Sequence, residues 1–130
     1  MRVREFRLVL TVEDHERALA FYRDALGLAQ LEDWSGEHGS VVLLEAGRAT
    51  LELVDVRQAA TIDEIEVGSR VAGSVRIALE VDDSGAAAAA LEAAGADRLG
   101  GPVDTPWHDR NVRLRAPDGT QLTLFTPLAE

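Results

Sequence analysis

Along the first dozen residues, apolar and polar positions alternate. Leu8, Leu10 and Val12 fall on one side of an extended chain, and Arg7, Val9 and Thr11 on the other. That period of two predicts a strand. The period then lengthens, with Ala18, Phe21, Tyr22, Ala25 and Leu26 recurring at i, i+3, i+4, i+7 and i+8, the stripe of an amphipathic helix. Asp14 stands where an N-cap belongs and Gly27 where a helix stops. Three further stretches, 28–35, 38–45 and 48–56, read as strands.

The same order returns later in the chain. Arg7, Leu10, Val12 and Asp14 coincide with Arg76, Leu79, Val81 and Asp83 at an offset of 69. Ala18, Ala20 and Ala25 fall on Ala87, Ala89 and Ala94, and Gly95 follows as the second helix stop. At an offset of 71, Val41, Leu43, Leu51 and Leu53 coincide with Val112, Leu114, Leu122 and Leu124, so the copies differ by a small change in loop length. Strands are predicted at 97–104, 110–116 and 119–126, with Pro117-Asp118-Gly119 as the turn before the last. The expectation is an α+β fold of two tandem βαβββ modules, 1–56 and 74–130, within a single domain of 1–130. The joining stretch 57–73, with Thr61-Ile62-Asp63-Glu64-Ile65-Glu66 at its centre, reads equally as a short helix or an ordered crossover. The second helix is nearly all alanine on its inner face, so it must lie close to its sheet.

Composition removes several kinds of chemistry. The 130 residues include no cysteine, which excludes thiol catalysis, disulfides and cysteine-based metal sites. All 13 basic residues are arginine, which excludes Schiff-base lysine chemistry. A formal charge of −10 argues against nucleic-acid and anionic-membrane partners. No apolar run reaches the roughly 18 residues of a membrane span. Met1-Arg2-Val3-Arg4-Glu5 leads straight into the first predicted strand without the apolar core of a signal peptide, so the expected location is cytoplasmic. There is no nucleophile elbow, phosphate-binding glycine loop or helical histidine pair.

Two βαβββ modules, with Phe21-Tyr22-Arg23-Asp24-Ala25-Leu26-Gly27-Leu28 after the first capping aspartate and Ala116-Pro117-Asp118-Gly119 before the last strand, resemble the vicinal oxygen chelate superfamily. That group includes glyoxalase I, extradiol dioxygenases, fosfomycin-resistance enzymes and bleomycin-resistance proteins. The resemblance covers essentially the whole chain. It implies a glyoxalase/bleomycin-resistance-like fold in which each module curls a mixed sheet into a half-open cup and the paired cups enclose a site. It also implies a homodimer, through the sheet edges that relatives commonly bury between subunits.

Enzymes of that group hold a divalent metal with side chains of the first and last strands of both modules, typically His and Glu in each. Carried over, those positions are Arg7, Glu52, Arg76 and Thr123. Arginine is a permanent cation with no lone pair to donate, so two of them repel a metal. One carboxylate and one hydroxyl do not hold a transition metal tightly. The expectation is no metal and no other cofactor, with His38 and His108, 70 residues apart, as the one alternative source of ligands.

Strand alternation assigns the other side chains of the cup. Val9 and Thr11 accompany Arg7, Ala78 and Glu80 accompany Arg76, Val54 accompanies Glu52, and Gln121 and Phe125 accompany Thr123. Asn111, Arg113 and Arg115 line the strand between, with Val42 and Leu44 as their first-module equivalents. Arg7, Arg76 and Arg113 are expected to face Glu52 and Glu80. Two readings of that set stand side by side. In one, Glu52 is paired by Arg7 and Arg76, which replace the metal's charge as a fold element. In the other, a guanidinium holds a carboxylate, phenolate or other oxyanion of a ligand. Trp107, beside Pro106, and Trp34 in the first module offer flat faces for stacking.

The function expected from these readings is metal-free binding of a small molecule, in the manner of antibiotic- or metabolite-sequestering proteins. Arg7, Glu52, Arg76, Trp107, Asn111, Arg113, Thr123 and Trp34 would contact the ligand. The alternative is a lyase, isomerase or dioxygenase of the same superfamily, with a non-standard metal site or with Glu52 as general base. A third possibility is a structural partner protein whose cup is filled by its own side chains.

Overall fold

The computed structural model describes residues 2, 4–5, 7–10, 12–37, 39–49, 52 and 54–129. Thr11 and His38 lie outside the described residues. The chain divides into two compact units, Met1–Glu52 and Leu53–Glu130.

In the first unit, Asp14 caps helix α1 (His15–Leu19) by accepting from the Arg17 N–H at 3.0 Å. The helix continues as a wider π-helical turn, Ala20–Ala25, in which the Leu26 N–H donates to the Phe21 carbonyl at 2.8 Å. Phe21 and Tyr22 are both buried and meet edge to face, with ring centroids 5.0 Å apart. Strands β1 (Gln30–Asp33) and β2 (Val42–Leu44) pair antiparallel within the stretches expected to be extended.

Two other expected strands of this module are absent among the described residues. Residues 7–10 and 12 carry no strand, nor do the described residues of 48–55. In the second module the corresponding segments pair with each other in parallel, so each is the other's hydrogen-bonding partner. An extended segment needs that ladder to become a strand, and alternation by itself does not provide it.

The second unit holds a complete βαβββ module, preceded by helix α2 (Val56–Glu66). The joining stretch is therefore largely helical. Asp55 accepts from the Gln58 N–H at 2.8 Å at its start, and Gly68, at φ +90°, follows its end. Strand β3 (Ile77–Glu80) leads to helix α3 (Ser84–Ala93), then to β4 (Asp97–Asp104), β5 (Asp109–Arg115) and β6 (Gln121–Pro127). The sheet order is β3-β6-β5-β4, with β3 parallel to β6 and the other pairs antiparallel, so the sheet is mixed and the fold is α+β.

Helix α3 is capped as its flanking residues require. Asp83 accepts from the Ala86 N–H, and past Gly95 the Ala96 N–H returns to the Leu91 carbonyl at 3.0 Å. Ala88 and Leu91 are buried, and α3 lies across β4, β5 and β6. The small alanine side chains allow that close approach. Val112, Leu114, Leu122 and Leu124 form the fully buried apolar face of the sheet.

Candidate functional site

The opposite face of this sheet is polar. Register sets Arg113 opposite Thr123, Asn111 opposite Phe125 and Arg115 opposite Gln121, while Ala78 and Glu80 on β3 adjoin Thr123 and Phe125. These are the residues that alternation assigns to one face. Exposed, they would be a solvated surface. Instead α2 lies over β4 and β5, and Asn111, Arg113 and Thr123 are buried.

Two carboxylates of α2 make that burial possible. Arg113 is fully buried and donates through Nη1 to Asp63 Oδ1 at 2.8 Å and to Gln121 Oε1 at 3.0 Å. Its Nη2 donates to Glu66 Oε2 at 3.2 Å and its Nε to Thr123 Oγ1 at 3.2 Å. Arg76 Nη1 donates to the same Thr123 oxygen at 2.7 Å, and the Thr123 hydroxyl donates to Glu66 Oε1 at 3.3 Å. Asn111 Nδ2 donates to Glu66 Oε1 at 3.4 Å, while Asn111 Oδ1 is buried with no hydrogen-bond partner. A guanidinium without its partners here would carry the full cost of desolvation.

Asp63 is the anchor of the arrangement. Its Oδ2 accepts from Arg70 Nη1 at 2.7 Å and from the Val71 and Ala72 N–H groups at 2.8 Å each, so it also fixes the chain leaving α2. Burial pushes its carboxyl pKa up, but the Ala72 and Val71 N–H groups, Arg113 and Arg70 outweigh that and hold it well below the usual carboxylate range. A carboxyl depressed on folding contributes stability that is present above its unfolded value, about 4, and lost as pH falls through its folded value. The stability difference between wild type and Asp63→Asn, measured by urea unfolding, is therefore expected to be largest near neutral pH and to shrink below about pH 4. A difference that stays constant down to strongly acidic pH would contradict this assignment.

Arg113 was expected to face Glu52 and Glu80, and this is corrected: its carboxylate partners are Asp63 and Glu66. Strand periodicity identifies the inward arginine but not the segment that covers it. The available signal was the pair of acids three residues apart in the joining stretch, which a helix sets on one face. In the first unit, Arg7 pairs with Glu5 and lies over the Trp34 ring, 5.5 Å from its centroid. Glu52 and Trp34 are exposed. The structure thus brings together Arg76, Asn111, Arg113 and Thr123 in one unit, and Arg7 with Trp34 in the other.

Trp107 is exposed in the β4–β5 turn. Thr105 and Asp109 close this turn through the Thr105 N–H to the Asp109 carbonyl at 2.8 Å, and His108 takes φ +67°. Trp107 thus stands two residues before β5 begins at Asp109.

The residues at the positions that the resemblance equates with metal ligands do not have the chemistry of a divalent-cation site, taken unit by unit. Arg7 and Arg76 have no lone pair, and Arg76 donates a hydrogen bond to Thr123, which stands at a third position. Among the described residues, no group of three or more histidines, aspartates or glutamates could hold a metal ion. Nor, among them, is any helix long and apolar enough to cross a membrane.

Comparison with known proteins gives a consistent picture. The family model of the Glyoxalase/Bleomycin resistance protein/Dioxygenase superfamily matches residues 6–124. Among solved structures, TnmS3, an antibiotic binding protein from Streptomyces sp. CB03234, is 28% identical over 98% of both chains, with a TM-score of 0.62. A glyoxalase/bleomycin resistance protein from the same organism is 31% identical over 87% of this chain and 91% of its own, with a TM-score of 0.52. A superfamily member from Sphaerobacter thermophilus DSM 20745 is 27% identical over 88% of this chain and 90% of its own, with a TM-score of 0.57. No functionally curated protein matches the chain.

Proposed function

Because this chain belongs to the Glyoxalase/Bleomycin resistance protein/Dioxygenase superfamily, we propose that it binds a small organic molecule without a metal and leaves it chemically unchanged. The observation that carries this reading is the Arg76–Thr123–Arg113 network, in which two guanidinium groups donate to Thr123, at one of the positions that the resemblance equates with metal ligands. Guanidinium groups suit recognition of an anionic or strongly polar ligand group. The likeness to TnmS3, described as an antibiotic binding protein, supports sequestration of an antibiotic or similar metabolite.

In this reading Arg76, Arg113, Asn111 and Thr123 select the polar group, and Trp107 stacks on a planar part of the ligand. The protein is a homodimer, for which the exposed Leu31, Trp34 and Val41 on and beside the two-stranded β1–β2 sheet supply apolar surface.

The test is native mass spectrometry of untagged protein prepared without chelator or added metal. It is followed by fluorescence titration with a panel of planar aromatic antibiotics. The expected results are a metal-free dimer and stoichiometric binding of at least one compound, recovered unaltered. Trp107→Ala should weaken that binding about tenfold, the scale of a lost aromatic contact. One tightly held metal ion per site, or catalysed conversion of a bound compound, would overturn the proposal.

A further inference from the structure

The two carboxylates that α2 brings to Arg113 are held very differently. Asp63 receives four hydrogen bonds between 2.7 and 2.8 Å, two of them from backbone N–H groups. Glu66 receives three, all between 3.2 and 3.4 Å, although it is just as deeply buried. Arg113 pairs with both carboxylates, and the half-exposed Arg70 pairs with Asp63. A buried carboxylate accepting only long hydrogen bonds is poorly compensated for its lost hydration.

Beside Glu66 lies the unpartnered Asn111 Oδ1. The amide orientation is fixed, because Nδ2 faces the Glu66 carboxylate and so Oδ1 is the atom left without a donor. An ionised carboxylate has no hydrogen to donate and cannot satisfy an acceptor. A group carrying both a negative charge for Arg113 and a donor for Asn111 would match the site better than Glu66 does.

We propose that Glu66 is an internal stand-in for the ligand, and that the protein binds a carboxylate or phenolate carrying a hydrogen-bond donor beside its charge, which replaces Glu66 on Arg113 and Thr123. This deepens the binding reading above and rests on it. The exchange keeps the buried charge constant, since one anion leaves as another enters, and it returns Glu66 to water. It calls for movement of only the last turn of α2. Asp63 remains on Arg113, Val71 and Ala72 as the pivot, and Gly68, already at φ +90°, provides backbone freedom immediately after the turn. The N–H groups of Val67 and Gly68, which close that turn on the Asp63 and Glu64 carbonyls, report the opening.

Salicylate and benzoate are suitable probes, because both carry a carboxylate and only salicylate has an adjacent hydroxyl donor. They are titrated at constant ionic strength into wild type and Glu66→Gln, with hydrogen exchange measured site by site. Salicylate is expected to bind wild type about tenfold more tightly than benzoate, and to bind Glu66→Gln at least about tenfold more tightly still. In wild type it should speed exchange at Val67 and Gly68 while leaving Val71 and Ala72 protected. If Glu66→Gln does not fold, the wild-type exchange pattern and the salicylate-to-benzoate ratio decide the matter. Equal salicylate affinity in the two proteins, or unchanged protection at Val67 and Gly68, would overturn the exchange. If planar antibiotics bind while those amides stay protected, the exchange fails and the binding reading stands. If neither antibiotics nor aromatic acids bind, both fall.

Discussion

Replacing Arg113 by methionine is expected to lower the unfolding free energy at neutral pH by about 3–5 kcal/mol, the usual cost of removing one partner from a buried ion pair. Methionine fills much of the same volume, so the loss is electrostatic rather than a cavity effect. Asp63 keeps Arg70 and two backbone donors, but Glu66 is left buried with only the Thr123 hydroxyl and the Asn111 amide. The second substitution Glu66→Met in the same chain should recover part of the loss by removing the stranded carboxylate. Urea unfolding of wild type, the single variant and the double variant measures this. A single variant as stable as wild type would mean that Arg113 is not enclosed by α2 in solution.

Gly100→Ala is the second change with a large expected effect. A Cβ there would run into the Glu66 carbonyl oxygen, and would lie 2.9 Å from that carbonyl carbon and 3.0 Å from the Val67 Cα. All three atoms are backbone, so no flexible side chain can swing aside. Either β4 or the end of α2 has to move, at a cost of about 3 kcal/mol. Gly36 is the control, since it has no neighbour within 4 Å of a Cβ and no positive φ, and Gly36→Ala should leave stability unchanged. Thermal and urea unfolding give the magnitude, and hydrogen exchange in α2 gives the location. Equal stability of the two variants would show that α2 does not rest on β4.

The second module was legible in the sequence because its signals are local. Alternation marks β4 at 97–104, where the structure has Asp97–Asp104, and it puts Asn111, Arg113 and Thr123 on one face. Asp83 and Gly95 bound α3 because a cap is satisfied within a few residues of itself. The Pro117-Asp118-Gly119 turn closes through the Gly119 N–H to the Ala116 carbonyl at 2.9 Å, again a short-range event. The first and fourth strands expected in the first module carry alternation just as clear. Among the described residues neither is a strand, and alternation by itself supplies no hydrogen-bonded partner.

The sequence by itself therefore determined the class of fold, the order of the elements in the second unit, and which residues of its sheet point away from the apolar core. It also determined that no cysteine or lysine chemistry is available, which follows from residue identity alone. Only the tertiary structure decided what covers the polar face. The stretch 57–73 has no period strong enough to choose helix over crossover. Its acids become partners of Arg113 only when α2 forms and lands on β4 and β5. Periodicity fixes the direction of a side chain relative to its own strand. The identity of a buried charge's partner is fixed by the cost of leaving that charge alone, and this cost is set by whichever segment excludes the water.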